Sequence, residues 1–222
     1  MHFGLIGGIG PAATEFYYRN LVKIFKEHQT KLDLTISHAD TATLVNNMTA
    51  GKKAEQASIF LSHANRLHAA GCDILVVTSM AGHFCINELI DISPLPVLNI
   101  VPILNKRLLT LGTKKIGLIG SEAVMKSKIY GGVPSLDVIL PDPKVLDAVN
   151  NSYFEMARAG FATNDQRTFF HNVSLNLYSQ KDAEVIVLGG TDLFLAFDGL
   201  NPEFPVLDCT LIHIEEMLKL AT

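Results

Sequence analysis

Charge is scarce in this chain. Asp, Glu, Lys and Arg make up 18% of its 222 residues, below the usual value of about a quarter. That scarcity implies extensive burial, a subunit interface included. Basic residues form no stripe, and the richest stretches, Lys52-Lys53 and Lys126 to Lys128, are short. A nucleic-acid footprint is therefore not expected. Cysteine is limited to Cys72, Cys85 and Cys209. An odd count without close spacing excludes a disulfide framework and a cysteine-based zinc site, and suits a reducing compartment. No apolar run approaches the roughly 18 residues of a spanning helix, so no membrane partner is expected. The chain enters a Gly-rich turn within seven residues of Met1, too soon for a secretory signal. A cytoplasmic location is the expectation. No HExxH, no Asp-rich loop and no metal spacing among the histidines is present, so no metal or other cofactor is expected. For His2, His171 and His213 the reading is structural.

Apolar residues, by contrast, reach 48%. His2 to Ile6 reads as a buried strand, Gly7, Gly8, Ile9 and Gly10 as a turn, and Pro11 as the opening of a helix. Phe16, Tyr17, Leu21, Ile24 and Phe25 give that helix one apolar face. Leu34 to Ser37 predicts a second strand and Lys52 to Ala70 a long helix ended by Gly71. Ile74 to Val77 reads as a central parallel strand and Val97-Leu98 as another short one. Strand and helix signals alternate to the end, the pattern of an α/β architecture.

The chain also repeats itself. GLIG occurs at Gly4 to Gly7 and at Gly117 to Gly120, Ile74 to Val77 has a counterpart in Val185 to Leu188, and LPVLN at Leu95 to Asn99 matches FPVLD at Phe204 to Asp208. The offsets are 113, 111 and 109 residues, in the same order along the chain. Two similar Rossmann-like subdomains with parallel sheets are expected. Residues 1–101 plus 209–222 form the first half and 102–208 the second.

Ligands of open α/β sheets bind beyond the C-terminal ends of the strands. Four loops lie there: Gly7 to Thr14, Thr78 to His83, Ser121 to Lys128 and Gly189 to Asp192. Two halves facing one another bring all four round one cleft. In the first loop, Gly8 and Gly10 expose backbone N–H groups at a helix N-terminus, which suits anion capture or a structural tight turn. A dinucleotide fingerprint is not met, because Ala13 holds the third glycine place and no acidic residue ends the second strand. Ser79 is either a nucleophile with a base beside it or a helix cap. His83 is an acid, a base or an anion binder, kept neutral by a helix N-terminus, or else a satisfied histidine. Thr191 is placed to donate to a carboxylate, and Asp192 is a cap or a base.

These loops carry a resemblance. GLIGGIGPAAT, Gly4 to Thr14, resembles the N-terminal signature of the aspartate/glutamate racemase family. ILVVTSMAGH, Ile74 to His83, is similar to that family's strand and P-C-N-T-A-H loop, and VIVLGGTD, Val185 to Asp192, to its L-G-C-T-E loop. Tyr130 and the residues before it resemble a T-x-x-T-x-x-S-x-x-Y segment, with Ser121 in a Thr place, and Asp208 with the final helix also matches. The resemblance implies two α/β domains related by pseudo-twofold symmetry, commonly a homodimer, and cofactor-independent racemisation of an amino acid. It implies two cysteines on opposite faces of the substrate, one removing the α-proton and the other returning one. A thiol, with a reference pKa of about 8.5, suits both tasks.

The departures fall on those cysteines. Ser79 stands in the first cysteine place and Gly190 in the second, while Met80 and Ala81 replace the Asn and Thr of the substrate loop and Asp192 replaces Glu. The region where the family carries a substrate-binding Arg reads HADTATL, His38 to Leu44, without Arg or Lys. The carried-over site is Ser79, Gly190 and His83 for chemistry, with Gly8, Gly10, Met80, Ala81, Ser121, Thr191 and Asp192 for a small carboxylate or amino-acid ligand. Two functions are open: a racemase or related isomerase or lyase that lacks the two-thiol mechanism, and a catalytically inactive homologue that binds a carboxylate or acts as a regulatory partner. Cys209, after a strand end, is the remaining thiol placed to line the cleft. The paired changes Ser79→Cys and Gly190→Cys are expected to restore weak turnover if the cleft is otherwise intact.

Overall fold

In the computed structural model, which describes residues 1–8 and 10–222, the chain divides into two units. Unit 1 comprises Met1–Asn99 and His213–Thr222, and unit 2 comprises Ile100–Ile212. Ile9, predicted as part of the first turn, lies outside the described residues.

Unit 1 is built on β1 (His2–Gly7), β2 (Asp33–His38) and β3 (Ile74–Val77), all parallel in the order β2-β1-β3. Parallel neighbours need crossover connections. Here α1 (Pro11–Glu27) joins β1 to β2, and α2 (Thr41–Thr49) with α3 (Lys53–Ala69) joins β2 to β3. Pro11 opens α1, and Tyr17, Leu21 and Phe25 are its buried stripe. Gly71, at φ +82°, follows the C-cap of α3 in the left-handed conformation that glycine adopts without strain.

Two strand expectations need correction. The Val97-Leu98 strand is reduced to a single parallel bridge between Leu75 and Val97. As a result β1, not β3, is the central strand of this sheet. A short apolar strand buried on both faces reads alike in sequence whether a full ladder or one bridge flanks it. A 3-10 turn, Ala81–Cys85, follows β3 and leads into α4 (Ile86–Ile92).

Unit 2 contains α5 (Ile100–Thr110), β4 (Lys115–Ile119), α6 (Glu122–Lys126), β5 (Asp137–Ile139), α7 (Pro143–Ala159), α8 (Asn164–Ser179), β6 (Val185–Leu188), α9 (Phe194–Phe197) and β7 (Val206–Asp208). Its parallel sheet runs β5-β4-β6-β7. The last helix, α10 (Cys209–Ala221), continues into the residues of unit 1. Its Ile214, Met217 and Leu218 join Phe3, Leu5, Tyr17, Leu21, Phe25 and Val76 in one buried cluster.

The structure gives the GLIG repeat a packing reason. Gly4 pairs with Leu75, and Gly117 with Ile186, at matching register. A Cβ on Gly4 would lie 3.1 Å from Leu67 Cβ, and one on Gly117 3.1 Å from Leu177 Cβ. Leu67 belongs to α3 and Leu177 to α8, the helices that precede β3 and β6. In each unit the glycine lets this helix approach the central strand closely. Among the described residues, no helix is long and apolar enough to cross a membrane.

Candidate functional site

At the strand ends of unit 1, Gly8 adopts φ +95°. Its N–H donates to Thr14 Oγ1 at 2.9 Å, and its carbonyl accepts from the Thr41 hydroxyl. The Gly8 donor assigned to an anion is therefore already committed inside the loop. Gly10 is the N-cap of α1 and supplies no side-chain bond.

Beyond β3, Ser79 Oγ accepts from Gly82 N at 3.2 Å, a local bond within the turn whose N-cap is Met80. His83 does not pair with that hydroxyl. Its Nδ1 donates to the Ser79 carbonyl at 2.7 Å, so the geometry forms no nucleophile–base pair. A carbonyl partner requires the proton on Nδ1, which leaves Nε2 as an acceptor. This Nε2 is buried without a hydrogen-bond partner, in a residue only 1% exposed. Burial lowers the His83 pKa to about 4, against the opposing effect of the bond to Ser79. Desolvation thus keeps the ring neutral, in place of the helix terminus expected from sequence. The ring packs against His213 with centroids 6.3 Å apart. His213 Nδ1 accepts from the Tyr17 hydroxyl at 2.9 Å and its Nε2 donates to the Leu98 carbonyl at 3.0 Å. Burial, then the His83 charge, takes its pKa to about 3. Met80 and Ala81 are both buried.

In unit 2, Ser121 caps α6, its Oγ accepting from Val124 N at 3.4 Å. Just after α6, Lys128, Ile129 and Tyr130 sit consecutively at φ 50°, 57° and 55°. Left-handed backbone costs roughly 1–2 kcal/mol for each such residue, so this segment is strained.

Gly190 follows β6 and is closely faced by an aromatic ring. A Cβ there would lie 2.5 Å from Cε2, 2.8 Å from Cζ and 3.0 Å from the hydroxyl of Tyr153. Gly190→Cys therefore requires that ring to move. Tyr153, on α7, is 2% exposed, and its hydroxyl donates to Asp192 Oδ2 at 3.5 Å. Burial holds the phenol well above its usual pKa, and the charges of Asp192 and Cys209 add to this. Thr191 Oγ1 is buried without a well-formed hydrogen bond. The α9 N-cap is Leu193, so Asp192 does not cap that helix.

At the end of β7, Asp208 accepts from Thr210 N at 2.7 Å. Desolvation raises its pKa to about 6 despite that bond. The neighbouring Cys209 thiol is pushed well up by burial and then by Asp208, and Cys85 is pushed up to about 12 by burial. Neither thiol is poised to ionise near neutral pH. The buried Thr210 hydroxyl lies against the Asp208 carboxylate and the Cys209 thiol.

Sequence reasoning missed Tyr153 and Thr210. Tyr153 lies with Val149 and Met156 on the apolar stripe of α7, where its spacing reads as core. Among the described residues, no group of His, Cys, Asp and Glu is arranged to hold a metal ion.

A family model described as Asp/Glu/Hydantoin racemase matches residues 6–217. The chain belongs to this family. It is similar in structure to an aspartate racemase homologue from Pyrococcus horikoshii OT3, with 21% identity, a TM-score of 0.81, and coverage of 99% of this chain and 98% of that one. An aspartate racemase from Picrophilus torridus matches at 17% identity and a TM-score of 0.78, over 100% and 94% of the two chains. A glutamate racemase from Francisella tularensis in complex with D-glutamate matches at 14% identity and a TM-score of 0.65, over 99% and 80%. The two parallel-sheet α/β units are consistent with the pseudo-twofold fold of that family.

Proposed function

We propose that the protein binds a small amino acid or related carboxylate at the C-terminal ends of its strands, as a racemase-family member in which two-thiol proton exchange does not operate. One observation carries this reading. The buried Nε2 of His83, just beyond the end of β3, has no hydrogen-bond partner. An unpaired buried polar group costs about 1–3 kcal/mol, so its retention calls for a use. Strand C-terminal ends are where α/β folds bind ligands. The absence of thiols at 79 and 190, the raised thiols elsewhere and the ring over Gly190 support the loss of the two-thiol step. A cytoplasmic homodimer belongs to the same proposal.

The test pairs binding with chemistry. L- and D-aspartate and L- and D-glutamate are titrated by calorimetry, and each is incubated with the protein in D2O while the α-hydrogen is followed by NMR. Saturable binding of at least one, with no α-hydrogen exchange above background, is expected. Absence of binding to all four removes the ligand reading. Exchange above background favours a second reading, an isomerase that uses other groups. The neutral, unpaired Nε2 of His83 is what recommends that reading. In that case His83→Gln abolishes the exchange.

A further inference from the structure

β2 stands at the edge of the β2-β1-β3 sheet, so one row of its backbone N–H and C=O groups faces away from β1. Monomeric proteins guard such an edge with lysine, proline or a bulge. The strand reads DLTISH, with no lysine and no proline. Its register with β1 runs one to one, from His2 with Asp33 to Gly7 with His38, and leaves no bulge. Groups able to carry charge stand only at its two ends, Asp33 and His38.

This edge lies beside a groove of about 540 Å³ between β2 and α1, lined mostly by apolar side chains. Tyr18, Val22 and Ile36 line it and are 54%, 43% and 41% exposed. Single exposed apolar side chains are ordinary, but three converging on one groove beside an open strand edge mark a contact surface. Thr35 and Ser37 point to the opposite face, bonded to His2 and to His63 of α3. Leu34 and Ile36 therefore share the groove face.

We infer that this face joins two copies of the chain, β2 pairing antiparallel with the partner's β2 about a twofold axis beside Thr35. The surface is complementary to itself. The axis sets Leu34 opposite the partner's Ile36, so apolar side chains meet on the groove face, and it sets Asp33 opposite the partner's Ser37. On α1, Tyr18, Val22 and Lys26 form one row at i, i+4 and i+8. The same axis reverses this row and brings the Lys26 ammonium toward the partner's Tyr18 ring, a cation–π pair made twice. The charged residues of the groove, Lys26 and Asp33, are of opposite sign, so a second copy is not repelled. This inference rests on the homodimer reading and assigns its surface.

Ile36→Lys returns the missing edge lysine at an exposed position. Self-association of the wild type and of this variant is measured by sedimentation velocity over a concentration series, with circular dichroism as the check on folding. A twofold interface carries each substitution twice, so the expected result is a dimer weakened at least about a hundredfold with its spectrum unchanged. A dimeric wild type whose association Ile36→Lys leaves unchanged overturns this inference alone. A monomeric wild type overturns it together with the homodimer reading, even where the groove takes an extended segment of another protein. The ligand reading at the strand ends stands or falls separately. Should Ile36→Lys not fold, Val22→Cys decides. Cys72, Cys85 and Cys209 are buried, so a short bismaleimide reaches only the introduced thiol. Cross-linking into a covalent dimer supports the inference, and its absence overturns it.

Discussion

Gly8 and Gly190 are both restricted to glycine, for different physical reasons. At Gly8 the backbone is at φ +95° and a Cβ would also lie 2.5 Å from the Ala39 carbonyl. Gly8→Ala is expected to destabilise the protein by about 1–3 kcal/mol, measured by urea unfolding, with no neighbouring substitution able to relieve it. At Gly190 the obstacle is a side chain. Gly190→Ala is expected to cost about 1–3 kcal/mol alone, and distinctly less when Tyr153→Val opens the space. A double-mutant cycle checks this, and additive effects would show that the ring is not the constraint. The loops that hold Ser79, His83, Thr191 and Asp192 were legible in the sequence because each follows an apolar strand run. Tyr153 was not, because its contact with Gly190 joins two points 37 residues apart and no local pattern records it. Likewise, the sequence located His83 but did not reveal that its proton sits on Nδ1 facing the Ser79 carbonyl.

At the level of elements, the helices that carry these groups depend on their own ends. Thr163 and Gln166 form a capping box at the start of α8: Thr163 Oγ1 accepts from Gln166 N at 3.2 Å, and Gln166 Oε1 accepts from Thr163 N at 2.9 Å. Thr163→Ala is expected to cost about 1 kcal/mol in chemical unfolding, while Thr163→Ser retains most of the stability. This same helix brings Leu177 against Gly117. The repeat could be read from sequence because both halves use a glycine at the point where helix meets strand. The single bridge at Val97 could not be distinguished from the full ladder of β7, since LPVLN and FPVLD present nearly the same residues.

Across the whole molecule, buried groups pull the pH dependence of stability in opposite directions. Burial holds the pKa of His83 at about 4 and that of His213 at about 3 in the folded unit 1, below the ordinary imidazole value of 6.5. The unfolded chain therefore binds these protons first. Their contribution to stability is complete above pH 6.5 and is lost as pH falls, by about 1.4 kcal/mol per pH unit for each ring. Asp208 in unit 2 is raised from 3.8 to about 6. Its contribution is complete below pH 4 and is lost as pH rises through 6. Urea unfolding between pH 4.5 and 7 is expected to show a steep acid loss. His213→Phe should take about 1.4 kcal/mol per pH unit off its slope, the share of one ring, and leave little net slope between pH 4.5 and 6, where Asp208 opposes the remaining ring. Asp208→Asn should remove the opposing loss, so that stability above pH 6 rises relative to wild type.

The placement of α10 has a consequence for how the chain is made. Ile214, Met217 and Leu218 pack with Phe3, Leu5 and Tyr17 in the core of unit 1. A nascent chain emerging from the ribosome holds Phe3 and Leu5 long before these partners exist. Unit 2, continuous from Ile100 to Ile212, has all its residues first. Synthesis therefore reverses the usual order in which N-terminal domains mature earliest. Unit 1 waits for α10, and during that interval its apolar strand faces are the ones a chaperone would meet.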